Sequence, residues 1–382
     1  MRRAVHLAPL VVVAALVVAS LAVVAGWSAE PAGLQASTVP QSKTQVAGES
    51  FYARSMELPD ELLRGAIDIH VHAGPHLKSS PRRVDPLQAA QEAKAAGMRG
   101  LVFLDVLENS SGTAWLVSRA VPGIEVFGGI ILNTVYGGMN PRAVRTALYY
   151  GAGAKFVSFG AHSTYYLASQ EGRMVEGKPV PFKDLFPKFA AQELARAIRI
   201  PLKDPVPAEL DEILKLVAEH PDVFLNTGHV SAQEALRLIE LAPRYGIRMD
   251  RVLVAHVARN AMTMTQQRQA AAAGAWLEAN YADCGVYPGG VPRTHYYPEK
   301  EYINELRIEA PGGPGNLGGL GRQIREIGVD HFILGTDYGI RGVSTPVEGM
   351  RQLIAGLLDL EFSIAEIQQL TGGNAARLLG LE

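Results

Sequence analysis

The chemically distinctive residues of this chain are five side chains of the kinds that ligate metals, and each lies at the end of a short apolar run. They are His70, His72, His229, His256 and Asp337. His70 and His72 end the run AIDIHVH (66–72), and alternate residues of a strand share a face, so both side chains can point the same way. Imidazole and carboxylate groups ligate divalent transition metals. The set therefore predicts a divalent metal site, with Zn²⁺ as the favoured ion.

The chemistry that such a set could perform is hydrolysis by an activated water. A single His-x-His pair is a weak signal, and only the combination of all five residues carries the prediction. A bound Zn²⁺ lowers the pKa of water from about 15.7 to about 7, which supplies hydroxide at neutral pH. A carboxylate beside the ion can then take the remaining proton and deliver it to a leaving group.

The elements that must position these residues are alternating strands and helices. Short apolar runs and amphipathic stretches alternate from Leu62 onward, which is typical of parallel βαβ units. The predicted strands are 66–72, 99–107, 125–133, 154–160, 223–229, 251–257, 275–280 and 331–337. Eight strand–helix units close a (β/α)₈ TIM barrel, whose active site lies where the carboxyl ends of the strands meet. The rival fold, a doubly wound open sheet, needs a glycine-rich phosphate turn after the first strand, where this chain has histidines.

The predicted barrel is a single domain of the α/β class that spans 59–382. Two long irregular stretches, about 163–205 and 281–314, interrupt the strand–helix pattern and are predicted to be functional insertions. Ser231 and Glu234 have the spacing of a capping box, which predicts the start of a helix directly after the fifth strand.

The amino-terminal segment 1–29 predicts export. Two arginines precede an uncharged run from about 7 to 27, which is typical of a secretory signal. The run is also long enough to span a bilayer as an uncleaved anchor. Residues 30–58 are rich in Ala, Ser, Gln and Pro and are predicted to form a linker. We expect a periplasmic or extracellular protein, either soluble or tethered to the membrane through residues 7–27.

The overall composition excludes some partners. The formal net charge of −2 gives no electrostatic basis for binding nucleic acid, so the expected partner is a small molecule. Cys284 is the single cysteine, which excludes an intrachain disulfide, and we interpret it as a passive side chain. No sequence feature requires an oligomer or excludes one.

Five segments of the chain resemble the amidohydrolase superfamily. They are IDIHVH (67–72), NTGHV (226–230), LVAHV (253–257), GTDYG (335–339) and GGNAARLLGL (372–381). Finer features such as HVHAGPH (70–76) resemble a poorly characterised branch of metal-dependent hydrolases. The resemblance implies that His70, His72 and His229 hold the metal and that Asp337 is a further ligand and the proton acceptor. His256 would either ligate a second metal or hydrogen-bond the metal-bound hydroxide.

The number of ions is judged from the fourth strand. Binuclear members of the superfamily bridge their metals with a carboxylated lysine or a glutamate at the end of that strand. Lys155 lies at its beginning and is interpreted as structural, and no glutamate follows the strand. The missing bridge favours one ion over two.

Five further residues near the predicted strand ends are candidates for binding the substrate. They are His76, Arg82, Asn133, His162 and Arg259. The Arg82 guanidinium could hold a substrate carboxylate or form a surface ion pair with Asp85. His162 could be an extra ligand, a substrate contact or a loop residue. Asp105 and Glu278 are candidates to support the ligands.

The function predicted from these features is metal-dependent hydrolysis of a C–N or C–O bond in a small amide, lactam, lactone or ester. One alternative is a non-oxidative decarboxylase that uses the metal on the same scaffold. A phosphoester hydrolase is weakened by the missing bridge. An alternative from a different functional class is an exported binding protein that catalyses no reaction. The complete set of ligand residues argues against it.

Overall fold

The computed structural model of the chain describes residues 51–75, 82–161, 163–170, 172–175, 178–181, 184, 187–257, 262–284, 317–340 and 344–382. All of these residues belong to one compact unit, Lys43–Glu382. The predicted signal or anchor 1–29, most of the predicted linker, and residues 285–314 of the second predicted insertion lie outside the described residues. Among the described residues, no helix is both long enough and apolar enough to cross a bilayer.

The strands of the described part of the chain are short and largely apolar. They are β1 Ile67–Val71, β2 Gly100–Phe103, β3 Glu125–Gly128, β4 Ile130–Ile131, β5 Phe156–Ser158, β6 Gly172–Val175, β7 Lys178–Pro181, β8 Phe224–Asn226, β9 Val252–Val254, β10 Trp276–Asn280 and β11 Phe332–Gly335.

All strands except β6 and β7 join in parallel pairs that run around a ring. One sheet has the order β1-β2-β3, and a second has the order β11-β10-β9-β8-β5-β4. Only Gly129 separates β3 from β4, so the two occupy one strand position. The ring closes between β11 and β1, where Asp337 N donates to His70 O (2.9 Å) and His72 N donates to Tyr338 O (2.9 Å). The predicted α/β class is confirmed, and the described strands fill the eight parallel positions of a barrel.

The helices of the described residues mostly follow the strands. They are α1 Pro86–Ala95, α2 Ser111–Ala120, α3 Pro141–Tyr149, α4 Tyr165–Gln170, α5 Pro187–Arg196, α6 Ala208–Ala218, α7 Ala232–Arg244, α8 Met264–Ala272, α9 Leu317–Ile327, α10 Pro346–Asp359, α11 Ile364–Gln368 and α12 Asn374–Leu379. Side-chain caps fix where several of them begin. Ser231 and Glu234 form the predicted capping box at α7, in which each side chain satisfies a backbone N–H group of the other.

Two buried apolar clusters hold the strands in place. The smaller cluster includes Ile67, Val102, Phe156 and Ile333 and also contains Leu378 of α12. The larger cluster contains strand residues that pack with helix residues. The carboxyl-terminal helix is therefore part of the inner cluster, which agrees with the predicted closing motif at 372–381.

Asn374 attaches the carboxyl-terminal helix to the start of β11. Its Nδ2 donates to the carbonyl oxygens of Val329 and Phe332, each at 2.7 Å. On the other side of the helix, Arg251 donates to the carbonyl oxygens of Arg377 and Leu378. The Asn374 bonds satisfy backbone acceptors at the amino end of β11, and the Arg251 bonds satisfy carbonyl groups in the last turn of α12.

Two segments lie beyond the strand–helix repeat. The stretch between β5 and α6 contains α4, the antiparallel pair β6–β7 and α5. Residues 51–56, at the end of the predicted linker, are helical. Tyr52 of this helix donates to Glu348 of α10 (3.1 Å), and Arg54 pairs with Asp359 (2.5 Å), so the segment is joined to the barrel.

Candidate metal centre

The end of β1 contains an extra residue that changes the direction of its side chains. The β1–β2 pairing runs from Asp68↔Leu101 to Val71↔Phe103, so three steps on β1 face two steps on β2. Bulges of this kind redirect side chains and are common beside active sites. His70 lies inside the irregular stretch, and His72 lies directly beyond the strand. The simple alternation expected for His70 and His72 is therefore interrupted, although both side chains reach the same centre.

The backbone is strained where two other candidate ligands follow their strands. His256, after β9, has φ 45°, and Asp337, after β11, has φ 55°. Among the described non-glycine residues only Glu361 shares a positive φ. The left-handed region costs an L-residue about 1–2 kcal/mol. Strain of this kind persists where surrounding structure imposes it, and it is frequent at functional sites.

Asp337 brings the two histidines of β1 together. Its Oδ1 lies 2.8 Å from His72 Nε2 and 3.6 Å from His70 Nε2. The ligand atoms of these three residues lie within 4.8 Å of one another, close enough for all of them to contact one cation. His70 and Asp337 are almost fully buried, at 4% and 2% exposure. The cluster therefore has the donor types and the spacing of a metal site.

The two remaining histidines lie next to this cluster. The His256 ring contacts the His70 ring, with centroids 4.7 Å apart, and stacks on the His229 ring at 4.5 Å. His256 also forms a second possible ligand group with Asp283 and Asp337. Among the described residues, the compact ligand groups combine His70, His72, His256 and Asp337 with nearby carboxylates, and the His229 ring adjoins them through its stacking on His256.

Two carboxylates from the β10 segment hold the outer nitrogens of these rings. His70 Nδ1 donates to Glu278 Oε1 (2.6 Å), and His256 Nδ1 donates to Asp283 Oδ2 (2.8 Å). Glu278 Oε1 also accepts from Asn280 Nδ2 (2.7 Å). Because an ionised carboxylate only accepts, both Nδ1 atoms carry a proton, and each ring in its neutral form keeps a lone pair on Nε2. Such pairs orient metal-binding histidines and raise their basicity.

Burial sets the charge of the ligands. Desolvation lowers the pKa of His72 to about 3, although Asp337 acts in the opposite direction. Burial also opposes the ionisation of Glu278, but its attraction to His70 and His256 when those rings are protonated, and the hydrogen bonds from His70 and Asn280, outweigh it and lower the pKa of Glu278. The centre thus pairs a neutral imidazole with an ionised supporting carboxylate, the protonation states that metal binding needs.

Asp68 connects the ends of β1 and β11. Its Oδ1 accepts from Thr336 N (2.9 Å) and His70 N (3.2 Å), and its Oδ2 accepts from the Thr336 hydroxyl (2.5 Å). Burial raises the pKa of Asp68 to about 6 despite these bonds. We interpret Asp68 as the group that fixes the spacing between His70 and Asp337.

The sequence did not single out Asp68, Asn280 or Asp283. The signal that was available is a run of polar side chains through the seventh strand, Glu278-Ala-Asn280, followed by an aspartate three residues later. Only Glu278 of this run was expected to support the ligands, and its contact with His70 agrees with that expectation.

The predicted substrate contacts have different surroundings. His76, His162 and Arg259 lie outside the described residues. The Asn133 amide donates to Val106 O (3.0 Å) and accepts from Ala161 N (2.8 Å), so it ties together the segments that follow β2 and β5. The Arg82 side chain is 9% exposed and lies 3.9 Å from Asp105.

Two residues interpreted as structural have matching surroundings. Lys155 lies at the start of β5, where its Nζ faces the Phe127 ring at 5.7 Å, away from the ligand cluster. Cys284 is buried, and burial raises the pKa of its thiol well above the usual range.

The donor set fits a divalent cation. Nε2 atoms from His70 and His72 converge on a carboxylate, and the buried Nε2 of His256 has no hydrogen-bond partner in the part of the chain that the structure describes. An imidazole nitrogen with a free lone pair, buried beside other ligand atoms, is the arrangement expected before an ion binds. His70, His72, His256 and Asp337 are therefore the residues that could hold a metal.

Comparison with known proteins gives a family and several distant folds. The family DUF6282, described as a family of unknown function, matches residues 65–278. No curated protein matches the chain. The solved structures that resemble it include an organophosphorus hydrolase from Deinococcus radiodurans, with 16% identity, a TM-score of 0.45, and coverage of 83% of this chain and 92% of that one. A lactonase from Listeria monocytogenes has 14% identity, a TM-score of 0.46, and coverage of 85% and 97%. The matched segment exceeds half of the chain, and the chain belongs to DUF6282.

Proposed function

We propose that the chain is a metal-dependent hydrolase of the amidohydrolase type that cleaves a C–N or C–O bond in a small amide, lactam, lactone or ester. The observation that carries the proposal is the convergence of His70 and His72 on Asp337 at the carboxyl ends of β1 and β11. That face is where barrels of this kind place their chemistry. The motifs resembling the amidohydrolase superfamily contain these same residues.

The ligand set proposed for the metal is His70, His72, His256 and Asp337, together with His229, which the resemblance to the amidohydrolase superfamily adds and whose ring stacks on that of His256. Zn²⁺ is the favoured ion, because imidazole donors combined with a carboxylate are the ligands that catalytic zinc sites use. When bound, a divalent cation would supply an acidified water and polarise the scissile carbonyl. Glu278 keeps the His70 ring in the orientation that directs Nε2 towards the site.

Asp337 is proposed as the proton acceptor. Its carboxylate lies within 2.8 Å of His72 and takes its position from the strained backbone after β11. It would take a proton from the attacking water and pass it to the leaving nitrogen or oxygen. His256, held by Asp283, would contribute a lone pair at Nε2 and not a proton.

The cellular setting remains the one inferred from the amino-terminal sequence. We propose an exported protein, periplasmic or extracellular, that is either free or tethered through residues 7–27. Its partner would be a small molecule, and it could form oligomers. Fractionation of the producing cells, together with amino-terminal sequencing of the mature chain, tests the export and the cleavage.

Metal analysis and the Asp337→Asn variant together test the proposed activity. The purified chain should contain a divalent metal in near-stoichiometric amount, and a chelator-indifferent, metal-free chain would contradict the proposal. Asparagine has the same shape and tolerates a positive φ, so the variant should fold. Its turnover should fall about 10²- to 10⁴-fold while part of the metal stays bound. Full activity would refute the role of Asp337.

A substrate panel separates the alternatives. Lactones, N-acyl amino acids, aryl esters and carboxylated aromatics should be offered to the wild-type chain and to Asp337→Asn. Hydrolysis incorporates oxygen from labelled water into the product, whereas carbon dioxide release without that incorporation identifies a decarboxylase. Binding of a panel member without any conversion would favour the non-catalytic binding protein.

A further inference from the structure

Arg82 lies beside the candidate metal centre, and the described residues do not supply the hydrogen bonds that its buried guanidinium needs. Its side chain is 9% exposed, and its nearest ionic partner, Asp105, is 3.9 Å away, which is beyond hydrogen-bond distance. Its buried Nε has no partner among the described residues. A guanidinium has five N–H donors and cannot lose its charge, so this position is costly unless something else accepts those bonds.

The backbone around Arg82 places it over the mouth of the barrel. Gly74 N donates to Val84 O (2.8 Å), and Arg83 N donates to Gly339 O (2.6 Å). The segment thus runs between the loops that follow β1 and β11, which carry His72 and Asp337. Asp105, the ionic neighbour of the guanidinium, follows β2.

We propose that Arg82 binds a carboxylate of the substrate, so that the proposed hydrolase acts on molecules that carry an anionic carboxylate in addition to the scissile bond. The planar fork of a guanidinium matches a carboxylate in bidentate geometry. Anchored there, the anion would leave the rest of the molecule to extend towards His72 and Asp337. This inference rests on the proposed function for its location, but its test does not depend on turnover.

The charges near Arg82 favour a monoanion over a phosphate. Asp105 is 4% exposed, and its Oδ1 accepts from Leu107 N (2.7 Å), which fixes the carboxylate beside the guanidinium. Glu108 follows shortly after, and burial together with the charge of Asp105 raises its pKa. The acidic groups that act on the Arg82 guanidinium are Asp105 and Asp337. Among the described residues, this cation beside two acidic side chains suits one negative charge, whereas a dianion would be repelled.

Burial and charge agree with this interpretation. Desolvation lowers the pKa of Arg82, and the charges of Asp105 and Asp337 act in the opposite direction without restoring it. The guanidinium therefore lacks enough compensation from its neighbours, and a bound carboxylate would supply it.

The test compares the binding of three probes to the purified full chain, carrying the metal it retains. Benzoate is the carboxylate, benzamide is its neutral analogue of the same shape, and phenyl phosphate is the dianion. The variants are Arg82→Gln and its exposed sequence neighbour Arg83→Gln as the matched control. Isothermal titration gives each affinity without any need for turnover, so a chain that lacks hydrolase activity is tested equally well.

We expect Arg82→Gln to weaken benzoate binding about 10- to 100-fold, the loss that corresponds to a charge-assisted hydrogen bond. Benzamide binding should not change, and Arg83→Gln should match the wild type. Asp105→Asn should tighten benzoate, because the repulsion is removed while an oxygen remains for Leu107 N. If Arg82→Gln fails to fold, Arg82→Lys keeps the charge without the fork and should lose an intermediate amount.

Three results would overturn the inference. The wild-type chain could fail to bind benzoate at millimolar concentration, Arg82→Gln could bind it as tightly as the wild type, or benzamide could lose affinity equally. If phenyl phosphate binds more tightly than benzoate, and Arg82→Gln removes that binding, the ligand group at Arg82 is a phosphate and not a carboxylate. In each case the hydrolase proposal stands or falls on its own experiments.

Discussion

Glu278 offers the sharpest test of how the centre is built, through the substitution Glu278→Gln. The side chain is fully buried, and its Oε1 accepts from His70 Nδ1 at 2.6 Å and from Asn280 Nδ2 at 2.7 Å. Glutamine can keep an acceptor oxygen in the same place, so both hydrogen bonds can survive. What the substitution removes is the negative charge, which raises the basicity of His70 and fixes its proton on Nδ1.

The expected magnitude follows from these contacts. A hydrogen bond to a charged group contributes about 1.5–3 kcal/mol, against about 0.5–1.5 kcal/mol for a neutral one, so loss of the charge costs His70 roughly 1–1.5 kcal/mol of support. Since about 1.4 kcal/mol is a factor of ten, Glu278→Gln should weaken metal binding about tenfold. Glu278→Ala removes both bonds and should reach about 100-fold, the upper end for residues that support ligands.

The assay is competition between the chain and a chromophoric chelator for Zn²⁺, repeated with Co²⁺, whose visible spectrum reports the ligand geometry. Glu125→Gln is the control, because Glu125 lies at the amino end of β3 and pairs with Arg99, away from the centre. Thermal melts of the metal-free variants separate a loss of fold from a loss of affinity. Equal affinity in Glu278→Gln and the wild type, or an identical loss in Gln and Ala, would refute the reasoning.

Three further predictions concern other parts of the barrel. Cys284 should not react with a disulfide reagent at pH 8 in the native chain and should react fully in denaturant, because burial raises the pKa of its thiol; native reactivity would contradict this. Gly339→Ala would place a Cβ 1.6 Å from His72 O, whereas Gly65, at a similar positive φ, has nothing within 4 Å. Denaturant titration should show Gly65→Ala losing about 1–2 kcal/mol for its φ alone and Gly339→Ala losing clearly more; equal losses would exclude the clash. Ser231→Ala should cost about 1 kcal/mol of unfolding free energy through its N-cap, and no change would exclude that role.

Much of the barrel was predictable because its pattern is local. The apolar runs that predicted strands contain β1 to β5 and β8 to β11, although the strands are shorter than the runs. The third run is divided at Gly129, where a Cβ would lie 2.4 Å from Phe156 O. Such a close approach between neighbouring strands depends on the folded sheet, and no local pattern of residues predicts it.

The ligands were predictable for the same reason, whereas Glu278 was the only one of the observed supports that the sequence indicated. His70, His72, His256 and Asp337 end strands, and parallel strands all end at one face. Asp283 lies in the turn after β10, where an aspartate is common for many reasons, so its contact with His256 could be found only from the folded chain. Likewise, the positive φ angles of His256 and Asp337 were not indicated by the sequence, because neither residue is a glycine or an asparagine, the types that most often adopt such angles.

The strained backbone and the buried ionisable groups bear on whether the barrel binds a ligand. Two strained residues, at about 1–2 kcal/mol each, and buried ionisable groups such as Glu278 all lower the stability of the metal-free chain. In a barrel with only a structural role, nothing would offset these losses of stability. A cation that binds only the folded chain offsets them, because its binding free energy adds to folding. The strain therefore predicts that chelation lowers the melting temperature, and that adding Zn²⁺ restores it in the wild type and less so in Glu278→Ala. If the melting temperature does not change when metal is removed or added, metal binding does not explain the strain at His256 and Asp337.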